Sequence, residues 1–454
     1  MITSAELTRV AIALLALLLV AHAGGALFQR FRQPRVIGEI LGGLVLGPTV
    51  LGQVWPDAVA WMFTDDATVR AVIGFVQQLG LFLLMFIAGV DARRRMRGTE
   101  RRVIGAVSSV GLVVPFAFGL LAVAIIPMDS LWGENANQTS FVLVFATAVA
   151  VTSIPVISRI MHDLGLLRTG FARVVLGVAV VEDVILYVIL AVAVDLATPD
   201  GPATGLPGVL GLEAGSTGDI VYHTVTTVGL LALLFAFAPR VNQWIGSHPR
   251  VKGPLSTTSR RLIVLLAFVV GFLLMDLEAF LGAFVAGIFV GTPRRGTGAV
   301  PDELEEQRSA AQDSIRKFAF AFFIPCYFAL VGVNLNLAHG FEVGWFLVFL
   351  VGACLVKAVS TYAGGRLAGL PDRPTRHLSV ALNARGGPGI VLATVALGAG
   401  IVNEEFYIWL ILLAILTSVA AGIYLQRVSI DDLDLTIPGH EDADPSPAHR
   451  EVAA

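Results

Sequence analysis

Glu182 and Asp183 stand side by side in VVEDVILYV, at the centre of a long apolar run from Phe171 to Leu196. Two further charges are buried in apolar sequence, Lys357 in LVKAVSTYAGGR and Arg385 in ARGGPGI, while the other 29 of the 31 lysines and arginines fall in loops, in tails or at the ends of apolar runs. An ionisable group at membrane depth costs at least about 2.5–3.5 kcal/mol, so it faces a cavity or a partner. Oxygen ligands suit protons and hard cations, and hydroxyls beside a carboxylate can complete a cation's shell. Thr152 and Ser153 supply such hydroxyls next to Pro155, which removes a backbone donor and disfavours helix at Ile154. The run Arg385-Gly386-Gly387-Pro388-Gly389 is a second expected helix break. Unwound backbone at this depth is tolerated only where protein or a watery cavity covers it, and half-helix ends present carbonyls to cations. The chemistry indicated is reversible ion binding. The plainer alternatives are an ion-pair network that only holds helices together and a simple proline kink; adjacent acids that repel each other serve stability poorly.

The elements that must position these residues are membrane helices. Apolar residues make up 56% of the chain and charged residues 14%, with a mean hydropathy of +0.79. A globular enzyme carries nearer a quarter charged residues. Runs long enough to cross about 30 Å of hydrocarbon recur throughout. We read an all-α polytopic protein of about thirteen spans: 7–27, 36–52, 72–90, 103–126, 139–161, 171–196, 218–238, 261–276, 279–292, 318–337, 342–365, 378–400 and 405–426. The first lacks a basic leader and a cleavage site, so it is expected to be retained. Only Asp276-Leu277-Glu278 separates the eighth span from the ninth, and one of these could be misdrawn. Lys and Arg crowd the loops after odd-numbered spans, and the other side has only Arg9 and Arg70. That asymmetry places the N-terminus outside and the C-terminus in the cytoplasm of a cell (inner or plasma) membrane. Residues 427–454 read as a disordered cytoplasmic tail. Cys326 and Cys354 fall in apolar runs and are expected to pack as free thiols.

Internal echoes organise the spans. GEILGGLVLG at Gly38 is echoed by EAFLGAFVAGIFVG at Glu278, FLLMFIAGVDAR at Phe82 by IPCYFALVGVNLN at Ile324, and TSIPVI at Thr152 by RGGPGI at Arg385. They pair spans 2, 3 and 5 with spans 9, 10 and 12. Repeat one is about 7–196, a linker span covers 218–238 and repeat two is about 261–426; a single span between two six-span halves turns the second upside down. Inverted repeats with discontinuous crossing helices, here spans 5 and 12, are a transporter signature.

GEILGGLVLGPTVLG, LGAFVAGIFVG, the broken spans and the acid pair resemble the monovalent cation/proton antiporters of the Kef and Nap type, from about Gln33 to Leu425. The resemblance implies a homodimer in which a mobile core holding the acids moves against a dimerisation domain. It implies that Asp183 is the ion-binding aspartate, that Glu182 takes the first place of the acid pair, that Lys357 pairs with Glu182, and that Thr152 is the threonine of the fifth-span break. Ser153 stands where some relatives have an Asp, and Glu replaces the usual first residue of the pair, so ion choice is not specified. Within this reading Asp183, Glu182, Thr152 and Ser153 bind ion and proton, with Asp183 and Thr152 on the monovalent cation. Lys357 and Arg385 are charge partners, and Pro155, Gly386, Gly387 and Pro388 break the helices. Arg385 is expected either to counter half-helix dipoles or to pair with an acid such as Glu39. Desolvation makes a bare Asp183 costly, so proton and Na⁺ or K⁺ compete for it, and Lys357 could release a proton when the cation binds. No cofactor, enzyme chemistry or nucleic-acid partner is expected. A sodium-coupled symporter of an organic solute is the alternative; it needs a roomier polar crevice. An intramembrane protease would need a GxGD-like aspartate that the sequence lacks.

Overall fold

The structure, a computed structural model, describes residues 2–31, 33–91, 98–126, 128–153, 169–197, 256–291, 302–337 and 342–433, with isolated positions between and after them. Its apolar runs close their backbone hydrogen bonds internally, as hydrocarbon surroundings require. The helices are α1 (Ser4–Arg30), α2 (Arg35–Leu46), α3 (Ala67–Asp91), α4 (Gly98–Ile125), α5 (Gln138–Ala150), α6 (Gly170–Ala197), α7 (Thr257–Leu274), α8 (Ala279–Gly291), α9 (Asp302–Phe318), α10 (Ile324–Val333), α11 (Val343–Leu367), α12 (Asp372–Ala381), α13 (Gly386–Gly398) and α14 (Glu404–Leu425). Side chains cap several starts: Asn137 accepts from the Ser140 N–H at α5, and Asn403 from the Phe406 N–H at α14. Among the described residues, ten helical stretches are long and apolar enough to cross a membrane, and two shorter apolar helices accompany them. The eighth and ninth expected spans are separate helices, α7 and α8. Most of the expected linker span, 218–238, lies outside the described residues.

The helices pack as two groups. One holds α1, α2, α3, α7, α8, α9 and α10; the other holds α4, α5, α6, α11, α12, α13 and α14. Glycine contacts join the first group at close range. A Cβ at Gly43 of α2 would strike the Ala329 carbonyl of α10, and one at Gly332 of α10 would strike the Ile40 carbonyl of α2. The pair α3 and α8 repeats this arrangement: Gly287 meets the Phe86 carbonyl and Gly89 meets the Phe284 carbonyl. In each case the partner carbonyl belongs to the residue three before the opposing glycine. The register continues one turn on, where Gly47 abuts Val333 and Gly291 abuts Val90. Each contact joins one segment to the echo of the other, α2 to α10 and α3 to α8, and small residues are what let membrane helices approach so closely. Between the groups the contacts are made by side chains. Tyr187 of α6 packs edge-on against Phe284 of α8, centroids 5.3 Å apart, and the Tyr407 hydroxyl of α14 donates to the Val331 carbonyl of α10 at 3.1 Å.

The second break falls slightly earlier than the glycines suggested. α12 ends at Ala381, the chain is non-helical from Leu382 to Arg385, and Gly386, Gly387 and Pro388 form the first turn of α13. Proline is at home in a first turn because the N–H it lacks has no intrahelical acceptor there. Pro155, the expected breaker of span five, lies outside the described residues; α5 ends at Ala150, and Val151 to Ser153 are non-helical. After α14 the chain forms a 3-10 turn, Ile430–Leu433, with Leu433 buried, so the stretch read as a tail starts with packed residues; 436–454 lie outside the described residues.

Two predictions come from this architecture. Gly43→Ala and Gly287→Ala should each lower the melting temperature in detergent, as overpacking costs about 1–3 kcal/mol. Gly74→Ala, where a Cβ meets open space, should not. In the α7–α8 turn, burial, helped by Asp276, pushes the Glu278 carboxyl from an ordinary 4.5 up to about 7. The folded state therefore binds more protons than the unfolded chain between those values, and stability falls as pH rises through that window, by up to about 3 kcal/mol. Glu278→Gln should flatten the melting profile between pH 5 and pH 8.

Candidate ion-binding site

The end of α5 sets the geometry. A helix C-terminus leaves carbonyls without intrahelical donors and carries a partial negative charge. Two buried cations take these groups. The Lys357 ammonium, from α11, donates to the Ala150 carbonyl at 2.7 Å, to the Gly111 carbonyl of α4 at 2.9 Å and to Glu182 Oε2 at 2.8 Å. Three N–H groups meet three acceptors, so the surroundings satisfy the charged form completely. Arg385 caps the space between α12 and α13. Its Nη2 donates to the carbonyls of Val149 at 3.0 Å and Ala353 at 2.8 Å, and its Nη1 to Asn383 Oδ1 at 2.7 Å. Of the two roles expected for Arg385, the contact with the α5 terminus is the one seen. Glu39 pairs instead with Arg35, at 3.3 Å.

Thr152 and Ser153 bind the two breaks together. Thr152 Oγ1 lies 2.6 Å from Glu182 Oε2 and 2.8 Å from the Leu382 carbonyl at the end of α12. Its one hydroxyl proton can serve only one of these acceptors at a time. Ser153 Oγ accepts from the Gly387 N–H at 3.1 Å, while Thr417 and Ser418 of α14 accept from the N–H groups of Arg385 and Gly386. The start of α13 is thus capped by oxygens from two other segments.

Against this closed network Asp183 is different. It is 1% exposed, and neither carboxylate oxygen has a hydrogen-bond partner among the described residues. Glu182 Oε1 and the Thr361 hydroxyl are likewise buried without partners among them. A Cβ built on Gly111 would lie 3.2 Å from Glu182 Oε1 and 3.3 Å from Thr361 Oγ1, so a side chain there would press on both groups. The structure brings Glu182, Lys357 and Thr152 into direct contact, and it places Arg385 and Ser153 at the neighbouring helix ends. It draws Thr152 to Glu182 rather than displaying a contact with Asp183.

Reading the sequence alone missed Gly111, Leu382 and Ala150, which act through backbone carbonyls that carry no side-chain signal. It also missed Asn383 and Cys354; the Cys354 sulfur sits 3.7 Å from Arg385 Nη1. Thr361 was recoverable, being four residues beyond Lys357 and hence on the same helix face.

Residues 13–430 match the family model described as "Sodium/hydrogen exchanger, transmembrane". The chain is 26% identical over 405 residues to cation/H(+) antiporter 18 of Arabidopsis thaliana, covering 86% of this chain and 45% of the relative. It is 26% identical over 410 residues to Na(+)/H(+) antiporter NhaS4 of Synechocystis, covering 89% and 93% respectively. Against Na(+)/H(+)-K(+) antiporter GerN of Bacillus cereus it is 23% identical, covering 88% and 92%. The chain thus spans about half the length of its plant relative and most of the two bacterial ones. The solved structure of the sodium proton antiporter MjNhaP1 from Methanocaldococcus jannaschii superposes with a TM-score of 0.60 at 14% identity, over 93% of this chain and 96% of that one. That likeness is one of fold.

The Glu182–Lys357 contact generates a mutant cycle. Lys357→Ala leaves a buried carboxylate and two carbonyls without donors, a loss of roughly 3–5 kcal/mol. The double variant Glu182→Gln plus Lys357→Gln should recover much of the lost melting temperature. Additive losses across the cycle would mean that the two residues act independently.

Proposed function

Because the chain belongs to the sodium/hydrogen exchanger family, we propose that it is a secondary antiporter exchanging a monovalent cation, Na⁺ or K⁺, for protons across a cell membrane. The observation that carries this reading is the state of Asp183, a buried carboxylate with both oxygens unpartnered among the described residues, next to a Glu182 that is already paired. An uncompensated carboxylate at that depth is costly. A proton removes its charge and a monovalent cation neutralises it, so the two compete for one site. Either loaded form crosses with a moving core, whereas the bare form crosses poorly, and this asymmetry couples the two flows.

Alternating access would come from the α4–α6 and α11–α14 group shifting against the group joined by glycine contacts. The acids lie on α6 and their partners on α4, α5 and α11, so the ion site travels with one group. A homodimer joined through the other group, with the N-terminus outside and the C-terminus in the cytoplasm, completes the proposal. Thr152 and Ser153 hold the crossing in shape, and Thr152 brings a hydroxyl oxygen beside the acid pair.

Asp183→Asn keeps the shape and removes the titrating group. In proteoliposomes containing a pH-sensitive dye, this variant should show no Na⁺- or K⁺-driven proton movement above that of empty vesicles, with an unchanged elution profile and melting temperature. Substantial exchange by the folded variant would sink the assignment.

A further inference from the structure

A partly open cavity of about 260 Å³, whose lining does not include the acid pair, is formed by the C-terminal half of α4 and the turn after it, by α5 and by the starts of α11 and α14. An engineered cavity of about 150 Å³ holds benzene, so this one has room for a two-ring aromatic body. Its wall is aromatic, with Phe118, Phe145, Trp345, Phe349 and Trp409. Glu342 and Glu405 also line it, and among the described residues no lysine or arginine does. Each acid precedes a tryptophan by about one helical turn, Glu342 before Trp345 and Glu405 before Trp409, so each helix presents an acid and an indole on one face.

Acids at helix starts have an ordinary role in opposing the helix dipole. Two observations go beyond it. The Glu342 side chain makes no cap on its own helix, and its backbone N–H is satisfied by Glu405 Oε1 at 3.0 Å. Trp409 is 4% exposed, yet its indole N–H has no partner among the described residues. The two carboxylates fit a cationic end, and the buried indole N–H on the aromatic wall can donate to the π face of a ring, so the lining suits a flat aromatic body with a charged nitrogen.

We infer that this cavity binds a small amphipathic ammonium, an aryl-alkyl amine whose ring lies among Phe349, Trp345 and Trp409 and whose charged nitrogen sits between Glu342 and Glu405. Aromatic faces and carboxylates both favour the cation, and the ring supplies apolar burial. The inner wall includes Val149 and Ala353, whose carbonyls both hold Arg385. An occupant therefore touches the residues that anchor the break and should slow exchange when bound. That slowing rests on the exchange reading above; the binding itself does not.

The test uses the purified full chain in nanodiscs, with 2-(1-naphthyl)ethylammonium and its neutral analogue 2-(1-naphthyl)ethanol as calorimetric probes. The ammonium should bind at least ten-fold more tightly than the alcohol. Glu342→Gln plus Glu405→Gln should erase that preference while leaving the alcohol's binding unchanged. Gly352 lines the cavity, and a Cβ there meets nothing within 4 Å, so Gly352→Leu should fill the space and abolish binding of both probes at an unchanged melting temperature. Equal affinity for the two probes in the wild type would mark a plain apolar crevice and overturn the inference. So would an ammonium preference that survives the double rim substitution, or full binding to a folded Gly352→Leu protein.

Discussion

The carbonyls left open where α5 stops in the membrane are the constraint on which the site depends. Hydrocarbon supplies no water to satisfy them, and the helix dipole adds negative charge at the same place. Lys357 takes the Ala150 carbonyl and Arg385 the Val149 carbonyl. Both buried cations are therefore tied to backbone oxygens, and the acids need not satisfy them alone. Glu182 balances Lys357, and Asp183 is left with both oxygens unpartnered among the described residues.

Adjacent position gives the two acids different work. Successive residues on a helix point about 100° apart, so Glu182 can face α5 and α11 while Asp183 faces elsewhere. Glu182 is held by Lys357 and Thr152, and Asp183 keeps its oxygens open. One acid thus fixes the cationic partner in place, and the other is left without a hydrogen-bond partner among the described residues. Thr152 joins Glu182 to the end of α12, so a change of charge at one break is felt at the other.

The packing around the site is unequal in stiffness. Within the α1–α3 and α7–α10 group, glycines bring backbone against backbone, and no side-chain rotation can relax such contacts. Between that group and the α4–α6 and α11–α14 group, aromatic side chains such as Tyr187 and Phe284 meet edge-on. Side chains can change rotamer where backbones cannot, so the second boundary is the place where relative movement costs least.

Hydropathy made the helical class and most of the membrane helices legible, because it is written in residue types along one dimension. α7 and α8 could be separated for the same reason, and the four intramembrane charges were visible because hydrocarbon makes such residues rare. That Lys357 takes Glu182 in particular was expected only from the family resemblance, since burial cost calls for a partner without naming it. What the sequence could not hold was the part made by backbone. The carbonyls of Gly111, Ala150 and Leu382 look like any others until folding strands them at helix ends. The start of α13 at Gly386, rather than beyond the glycines, was settled by capping oxygens from Ser153, Thr417 and Ser418, which arrive from distant segments. The choice of the α5 terminus over Glu39 as the partner of Arg385 was likewise decided by which groups the tertiary structure brought within reach, because a buried guanidinium takes the acceptors beside it.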